Sequence, residues 1–157
     1  MNNFVKKVVL ASDHAGYELK EYIRDLALND GFNIHDLGPL NADSVDYPDY
    51  AIKLAKMVKL DKSLGGIIIC GTGIGMSITV NRFPDIRGAL CSDVYTAKLS
   101  REHNDSNVLI LGSRVIGKGL AYEIVKTWLA TPFEGGRHQR RLDKINDIDL
   151  SNLEGDS

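Results

Sequence analysis

The sequence has little cysteine, no long apolar run and no excess of charge of one sign. Two cysteines in 157 residues, Cys70 and Cys91, are too few for a disulfide framework and too far apart for a CxxC redox motif. No apolar stretch approaches the ~20 residues that a membrane-spanning helix needs, so no membrane partner is expected. The N-terminal stretch has only a short apolar run, broken by Asp13 and His14, unlike a signal peptide. The formal net charge is −2, and no global basic field invites nucleic acid or an anionic membrane. Internal repeats and low-complexity segments are missing too. These absences leave the cytoplasm as the expected location. What is present, 43% hydrophobic and 25% charged residues, fits an ordinary globular chain with one substantial core. One domain over residues 1–150 is expected, with 151–157 as a disordered tail.

Apolar runs and helical patterns alternate along the chain. Val8-Val9-Leu10 is short and β-branched, and reads as a buried strand. Ala15, Leu19, Tyr22, Ile23 and Leu26 then share one helical face, closed by Gly31. Phe32 to Leu37 is a weaker strand, followed by a polar loop. Pro48 is well placed to open a helix whose apolar stripe is Ala51, Leu54, Ala55 and Val58. Gly66 to Cys70 is the clearest strand, and its unbroken apolar run suggests burial on both faces. Further strands are expected at Arg87–Cys91 and Val108–Leu111, with a helix between them from Asp93 to about Arg101. The last strong helix carries Leu120, Ala121, Ile124, Val125, Trp128 and Leu129 on its apolar face. Gly135-Gly136 breaks the chain before a basic helix over about 137–149, in which Leu142, Ile145 and Ile148 are spaced by three. Strands that alternate with helices predict an α/β fold: a doubly wound, five-stranded parallel sheet in a three-layer αβα sandwich, Rossmann-like. Ligands in such sheets bind at the carboxyl ends of the strands. The residues to inspect are therefore Asp13-His14, Gly38 onward, Cys70-Gly71-Thr72, Ser92-Asp93 and Gly112-Ser113-Arg114.

The strongest chemical signal is Cys70-Gly71-Thr72-Gly73-Ile74-Gly75. A glycine-rich turn between strand and helix points backbone N–H groups into one hollow suited to a phosphate or an oxyanion. A thiolate on its rim, beside an oxyanion hole, suits proton abstraction next to a carbonyl. The same glycines serve equally for close strand–helix packing, with Cys70 a core residue. The loop lacks the Gly-Lys-Ser/Thr ending of a P-loop: Gly75-Met76-Ser77 stands there. It also misses the third glycine of a dinucleotide fingerprint, where Met76 falls, although Asp93 lies at a suitable distance for a ribose contact. A nicotinamide-binding oxidoreductase is thus the second reading on pattern. Asp13 reads as a helix cap with His14 as its neighbour, or as a pair that handles anions and protons. His103 sits at a helix C-terminus, where the dipole alone accounts for a histidine. Arg137 and Arg141, four apart, read as a solvated face or as a phosphate clamp. Cys91 is expected to be structural, and His35 is assigned no role.

Taken together, Ser12-Asp13-His14-Ala15-Gly16, Asp46-Tyr47-Pro48, Cys70 to Gly75, Ser100-Arg101-Glu102-His103-Asn104-Asp105, Gly112-Ser113-Arg114 and Glu134-Gly135-Gly136-Arg137-His138 resemble the signature segments of the ribose-5-phosphate isomerase B family. They occur in the family's order and spacing from about Lys7 to Ile148. The resemblance implies a five-stranded parallel sheet, a homodimer, whose pairing into a tetramer is left open, and interconversion of ribose 5-phosphate and ribulose 5-phosphate without metal or organic cofactor. It implies Cys70 as the base between C1 and C2, with the backbone of Gly71, Gly73, Ile74 and Gly75 stabilising the enediolate and Thr72 assisting proton movement. It further implies His103 as the ring opener aided by Asp13, Tyr47 on the sugar, Asn104 on a hydroxyl, and His14, Arg114, Arg137 and Arg141 on the phosphate. Some of these residues, and the packing surface of the last helix, are expected to involve the partner subunit.

Related enzymes differ at readable positions. One subgroup uses a glutamate base just after the glycine loop, where this chain has Met76. Galactose-6-phosphate isomerase subunits usually lack the pair that stands here as His103-Asn104. A pentose phosphate is therefore the expected substrate, with an allose or galactose 6-phosphate isomerase as the alternative. A non-catalytic phosphosugar-binding module is the remaining reading.

Overall fold

The computed structural model describes residues 5–148. Five strands and six helices run in the order β1 (Lys7–Ser12), α1 (Tyr17–Asn29), β2 (Asn33–Asp36), α2 (Tyr47–Leu60), β3 (Leu64–Cys70), α3 (Ile74–Val80), β4 (Gly88–Leu90), α4 (Val94–Asn104), β5 (Val108–Gly112), α5 (Lys118–Ala130) and α6 (Arg137–Asn146). The strands form one sheet in the order β2-β1-β3-β5-β4, and every neighbouring pair is parallel. The expected doubly wound α/β sandwich is what the chain adopts.

Alternation along the strands sorts side chains into two cores. Val8, Leu10, Ile67, Ile69, Leu109 and Leu111 face α1 and α5. Val9, Ala11, Ile68, Cys70, Val108 and Ile110 face α2 and α3. Central β3 is apolar throughout because both its faces are covered, as its unbroken run predicts. Edge strands β2 and β4 are short and partly exposed. Pro48 stands in the first turn of α2, where its missing N–H costs nothing. Asp93 caps α4 by accepting the Thr96 N–H at 2.7 Å.

Two details differ from expectation. Leu120 does not join the buried face of α5; it is 42% exposed, because it lies about 100° around the helix from Ala121 and so falls on the flank. α6 ends at Asn146, with Asp147 as its C-cap. Leu142 is buried, while Ile145 and Ile148 are exposed. Residues 149–157, where the rest of the helix and a tail were expected, lie outside the described residues.

Parallel strands joined by helices give the molecule a polarity. Every strand ends at one edge of the sheet, and every connecting helix carries the chain back to the other. The break in strand order falls between β1 and β3, so the loops after these two strands flank the crevice in which such folds hold ligands.

Candidate functional site

The loops after β1, β3 and β5 are tied to one another by main-chain bonds. The Asp13 N–H donates to the Ile69 carbonyl at 3.1 Å, the Ser113 N–H to that of Cys70 at 2.8 Å, and the Arg114 N–H to that of Gly71 at 2.9 Å. The Ser113 hydroxyl adds a bond to the Ala15 carbonyl at 2.8 Å. In the linear sequence Ser113 is only the middle of Gly112-Ser113-Arg114. Its bracing role depends on two loops almost a hundred residues apart and is invisible in a linear pattern.

Cys70 is the last residue of β3 and is 6% exposed. Its sulfur accepts the Gly73 N–H at 3.1 Å, which holds the thiol at the glycine loop, at the upper limit of the α2–α3 core. Gly73 has φ +81°, a conformation that glycine adopts without steric cost, and it lets the loop fold back over the sulfur. Thr72 is exposed, and its hydroxyl accepts the Ile74 N–H at 3.3 Å. Two side chains overhang the loop. A Cβ built on Gly71 would lie 3.2 Å from Nη1 of Arg114, and one on Gly75 would lie 2.6 Å from Cζ of Tyr47. The glycines therefore make room for a guanidinium and a phenol beside Cys70.

Across the crevice, Asp13 is buried, and its Oδ1 accepts the Gly16 N–H at 3.0 Å. The carboxylate does organise the start of α1, as the capping reading predicts, although the helix itself begins at Tyr17. Nδ1 of His14 accepts the Val45 N–H at 3.2 Å, leaving Nε2 to carry the proton of the neutral ring. Cys91 is buried among apolar side chains, and burial pushes its thiol up, away from the thiolate form. Met76, at the position of the missing third glycine, is fully buried in the α2–α3 core.

The remaining candidates lie elsewhere. Because α4 runs back from the carboxyl edge of the sheet, its last turn, with His103 and Asn104, reaches the opposite edge. Arg87, just before β4, confirms this: its Nε donates to the Asn104 carbonyl at 3.1 Å and the Asp105 carbonyl at 2.9 Å. A cleft of about 640 Å³ lies at this same edge, lined in part by Lys7, Leu64, Arg87 and Asp105. The length of β3 alone separates this edge from Cys70 by roughly 20 Å. Within one chain, His103 and Asn104 thus do not meet Cys70.

His103 has company that motif reading left without a role. Its ring stacks on that of His138, with centroids 4.2 Å apart and planes 14° from parallel. Glu134 completes a group whose ligand atoms all lie within 4.8 Å of one another. The loop before α6 is pinned by Arg101, whose Nε donates to the Thr131 carbonyl at 3.2 Å, and by the Glu134 N–H, which donates to the Glu102 carbonyl at 3.1 Å. Arg137 and Arg141 follow on the exposed surface of α6, one turn apart.

A model of the family described as Ribose/Galactose Isomerase matches residues 8–145. The chain is 50% identical to a Bacillus subtilis protein named as a putative sugar phosphate isomerase, over 94% of this chain and 99% of that one. It is 46% identical to ribose-5-phosphate isomerase B of Escherichia coli, over 92% of this chain and 97% of that one. The solved ribose-5-phosphate isomerase B of Clostridium thermocellum superposes with a TM-score of 0.88 at 49% identity, covering 90% of this chain and 96% of that one.

Proposed function

The chain belongs to the ribose/galactose isomerase family, and from that premise we propose that it interconverts D-ribose 5-phosphate and D-ribulose 5-phosphate through a cis-enediolate, with Cys70 as the base. The observation that carries the reading is the placement of the Cys70 sulfur at the glycine loop, bonded to the Gly73 N–H and flanked by Tyr47 and Arg114.

The chemistry balances within the substrate. The Cys70 thiolate takes the proton from C2 of the open-chain aldose and returns it to C1, while one hydroxyl proton moves from O2 to O1. The main chain from Gly71 to Gly75 faces the two enediolate oxygens, where preorganised N–H groups have most effect. Thr72, exposed at the loop, assists the oxygen-to-oxygen proton movement. Arg114 and His14 hold the phosphate, a remote anchor whose binding energy fixes C1 and C2 against the base. Tyr47 packs on the sugar.

Ribose 5-phosphate is mostly a closed furanose in water, so a ring-opening acid/base must also reach it. His103 fills this role, with Asp13 on the other side of the sugar. Since His103 lies at the far edge of its own chain, a second copy supplies it, together with Asn104, Arg137 and Arg141. The catalytic unit is then a homodimer. The exposed apolar side chains Ile74, Ile78, Leu90, Val94 and Tyr95, around the edge strand β4, are a surface of the kind that such a contact covers.

The decisive measurement is turnover of ribose 5-phosphate by Cys70→Ala. Loss of a general base costs about 10²–10⁴-fold, with circular dichroism unchanged and no deuterium entering the sugar from heavy water. A Cys70→Ala protein that keeps the wild-type rate removes the mechanism.

A further inference from the structure

We propose that His103, Glu134 and His138 form a binding site for a divalent transition-metal ion of the zinc type, and that an ion held there inhibits turnover by engaging the imidazole of His103. The site itself stands on geometry; the inhibition rests on the isomerase reading above.

Three observations point to a ligand. The donor set is two imidazoles and a carboxylate, the mixture that suits zinc and its neighbours rather than magnesium or calcium. The atoms are already close: all lie within 4.8 Å of one another, and Nε2 of His138 lies 3.2 Å from Oε2 of Glu134. A tetrahedral centre with bonds of about 2.0–2.2 Å needs donors about 3.4 Å apart. The His103 and His138 rings stack with planes 14° from parallel, and an imidazole binds an ion in its own plane, so the half-buried His103 ring turns out of the stack and the exposed Glu134 side chain rotates before the three donors converge. The third observation is Nε2 of His138. The residue is 6% exposed, yet this nitrogen has no hydrogen-bond partner among the described residues. Its contact with Glu134 meets the distance of an ion pair but not the direction of a hydrogen bond. A buried nitrogen aimed at a carboxylate without a shared hydrogen bond is the arrangement that a cation between them resolves.

The scaffold is ordered for the task. The Glu134 N–H is held by the Glu102 carbonyl and the His138 N–H by the Gly135 carbonyl, each at 3.1 Å. The three side chains therefore come from two pinned segments, and little chain has to be ordered on binding. Three protein ligands leave a fourth position for water or a sugar oxygen. The imidazole of His103, once coordinated, no longer exchanges a proton with the furanose, so bound ion and ring opening exclude each other.

Cobalt(II) is the probe, because its visible spectrum reports coordination number and sulfur ligation without any substrate. Chelator-treated wild-type protein is expected to bind one cobalt per chain with the intense d–d bands of a low-coordinate centre. The spectrum should show no sulfur charge-transfer band and should be unchanged in Cys70→Ser. Glu134→Gln and His138→Gln should each weaken binding by about tenfold or more. In the turnover assay, zinc should inhibit the wild type reversibly, with EDTA restoring the rate, and Glu134→Gln should resist by a similar factor. A cobalt spectrum that disappears in Cys70→Ser, or binding that ignores both Glu134→Gln and His138→Gln, overturns the site. Zinc inhibition of equal potency in Glu134→Gln overturns the inhibitory role. Because the spectrum needs no turnover, failure of the isomerase reading would leave the coordination result standing.

Discussion

Lys20 has no exposed surface, which a lysine tolerates only when its charge is met. Its Nζ lies 2.7 Å from Oδ2 of Asp36 and 2.8 Å from Oε1 of Glu21. Asp36 turns this pair toward the site: its Oδ1 accepts the Gly38 N–H at 2.8 Å, and the Gly38 carbonyl in turn accepts the Ser12 N–H at 3.1 Å. The loop that leads to Tyr47 thus starts from a charged anchor. Burial works to raise the Asp36 carboxyl, but the bonds from Lys20 and Gly38 outweigh it and hold the group below its ordinary value of 3.8. A lowered carboxyl stabilises the fold fully above that value, and the contribution disappears as pH falls through the lower folded one. The stability gap between wild type and Asp36→Asn in denaturant titrations should therefore be full at about pH 5 and narrow progressively as the pH falls below about 3.8. A gap that does not narrow as the pH falls would contradict the assignment. Neither Lys20 nor Asp36 was legible as a pair. Lys20 sits between apolar positions of α1 and reads as an ordinary solvated lysine, because a linear pattern does not show which carboxylate lies across from it. Cys70, by contrast, was legible, since its place follows from the strand that it ends.

Among the elements, α5 was the easiest to read and shows why. Ala121, Ile124, Val125, Trp128 and Leu129 are all buried as their spacing predicts, because a helix that covers a parallel sheet needs one continuous apolar stripe. Trp128 does more than fill that stripe. Its Nε1 donates to the Ser106 hydroxyl at 2.7 Å, that hydroxyl lies 2.9 Å from Ser100 Oγ, and the Arg101 guanidinium stands 5.5 Å from the ring centre. The residue locks α5 against the last turns of α4. Trp128→Phe removes the donor and part of the ring, and should cost about 2 kcal/mol, or roughly 4–8 °C in melting temperature for a chain of this size. A melting temperature within a degree of wild type would show that the Ser106 bond contributes nothing. The segment from Thr131 to α6 was the least legible. Its position depends on Arg101 and on one main-chain bond from Glu134, so the meeting of His103, Glu134 and His138 follows from loop anchoring rather than periodicity. α6 itself was foreseen as a helix, but its end was not, because Leu142 is the last of its apolar positions to find a core.

For the molecule as a whole, polarity is the governing feature. Cys70 and His103 stand at opposite edges of one sheet, so a site that needs both must be shared between copies, each copy giving and receiving. Two variants, each expected to be inactive, test this directly. On the proposed shared site, Cys70→Ala and His103→Ala proteins, unfolded together and refolded at equal amounts, would form mixed dimers in which one of the two sites has both residues intact. Random pairing should restore about a quarter of wild-type turnover, whereas a site complete within each chain would give no recovery. Strand order has a separate outcome, which is set during synthesis. β5 lies between β3 and β4, so Gly88–Leu90 emerges from the ribosome with no strand to pair with until Val108–Gly112 follows. At translation speeds of about 5–20 residues per second, that interval lasts roughly one to four seconds. Throughout it Leu90, Val94 and Tyr95, which remain exposed even in the finished chain, are what the nascent polypeptide offers to a passing chaperone.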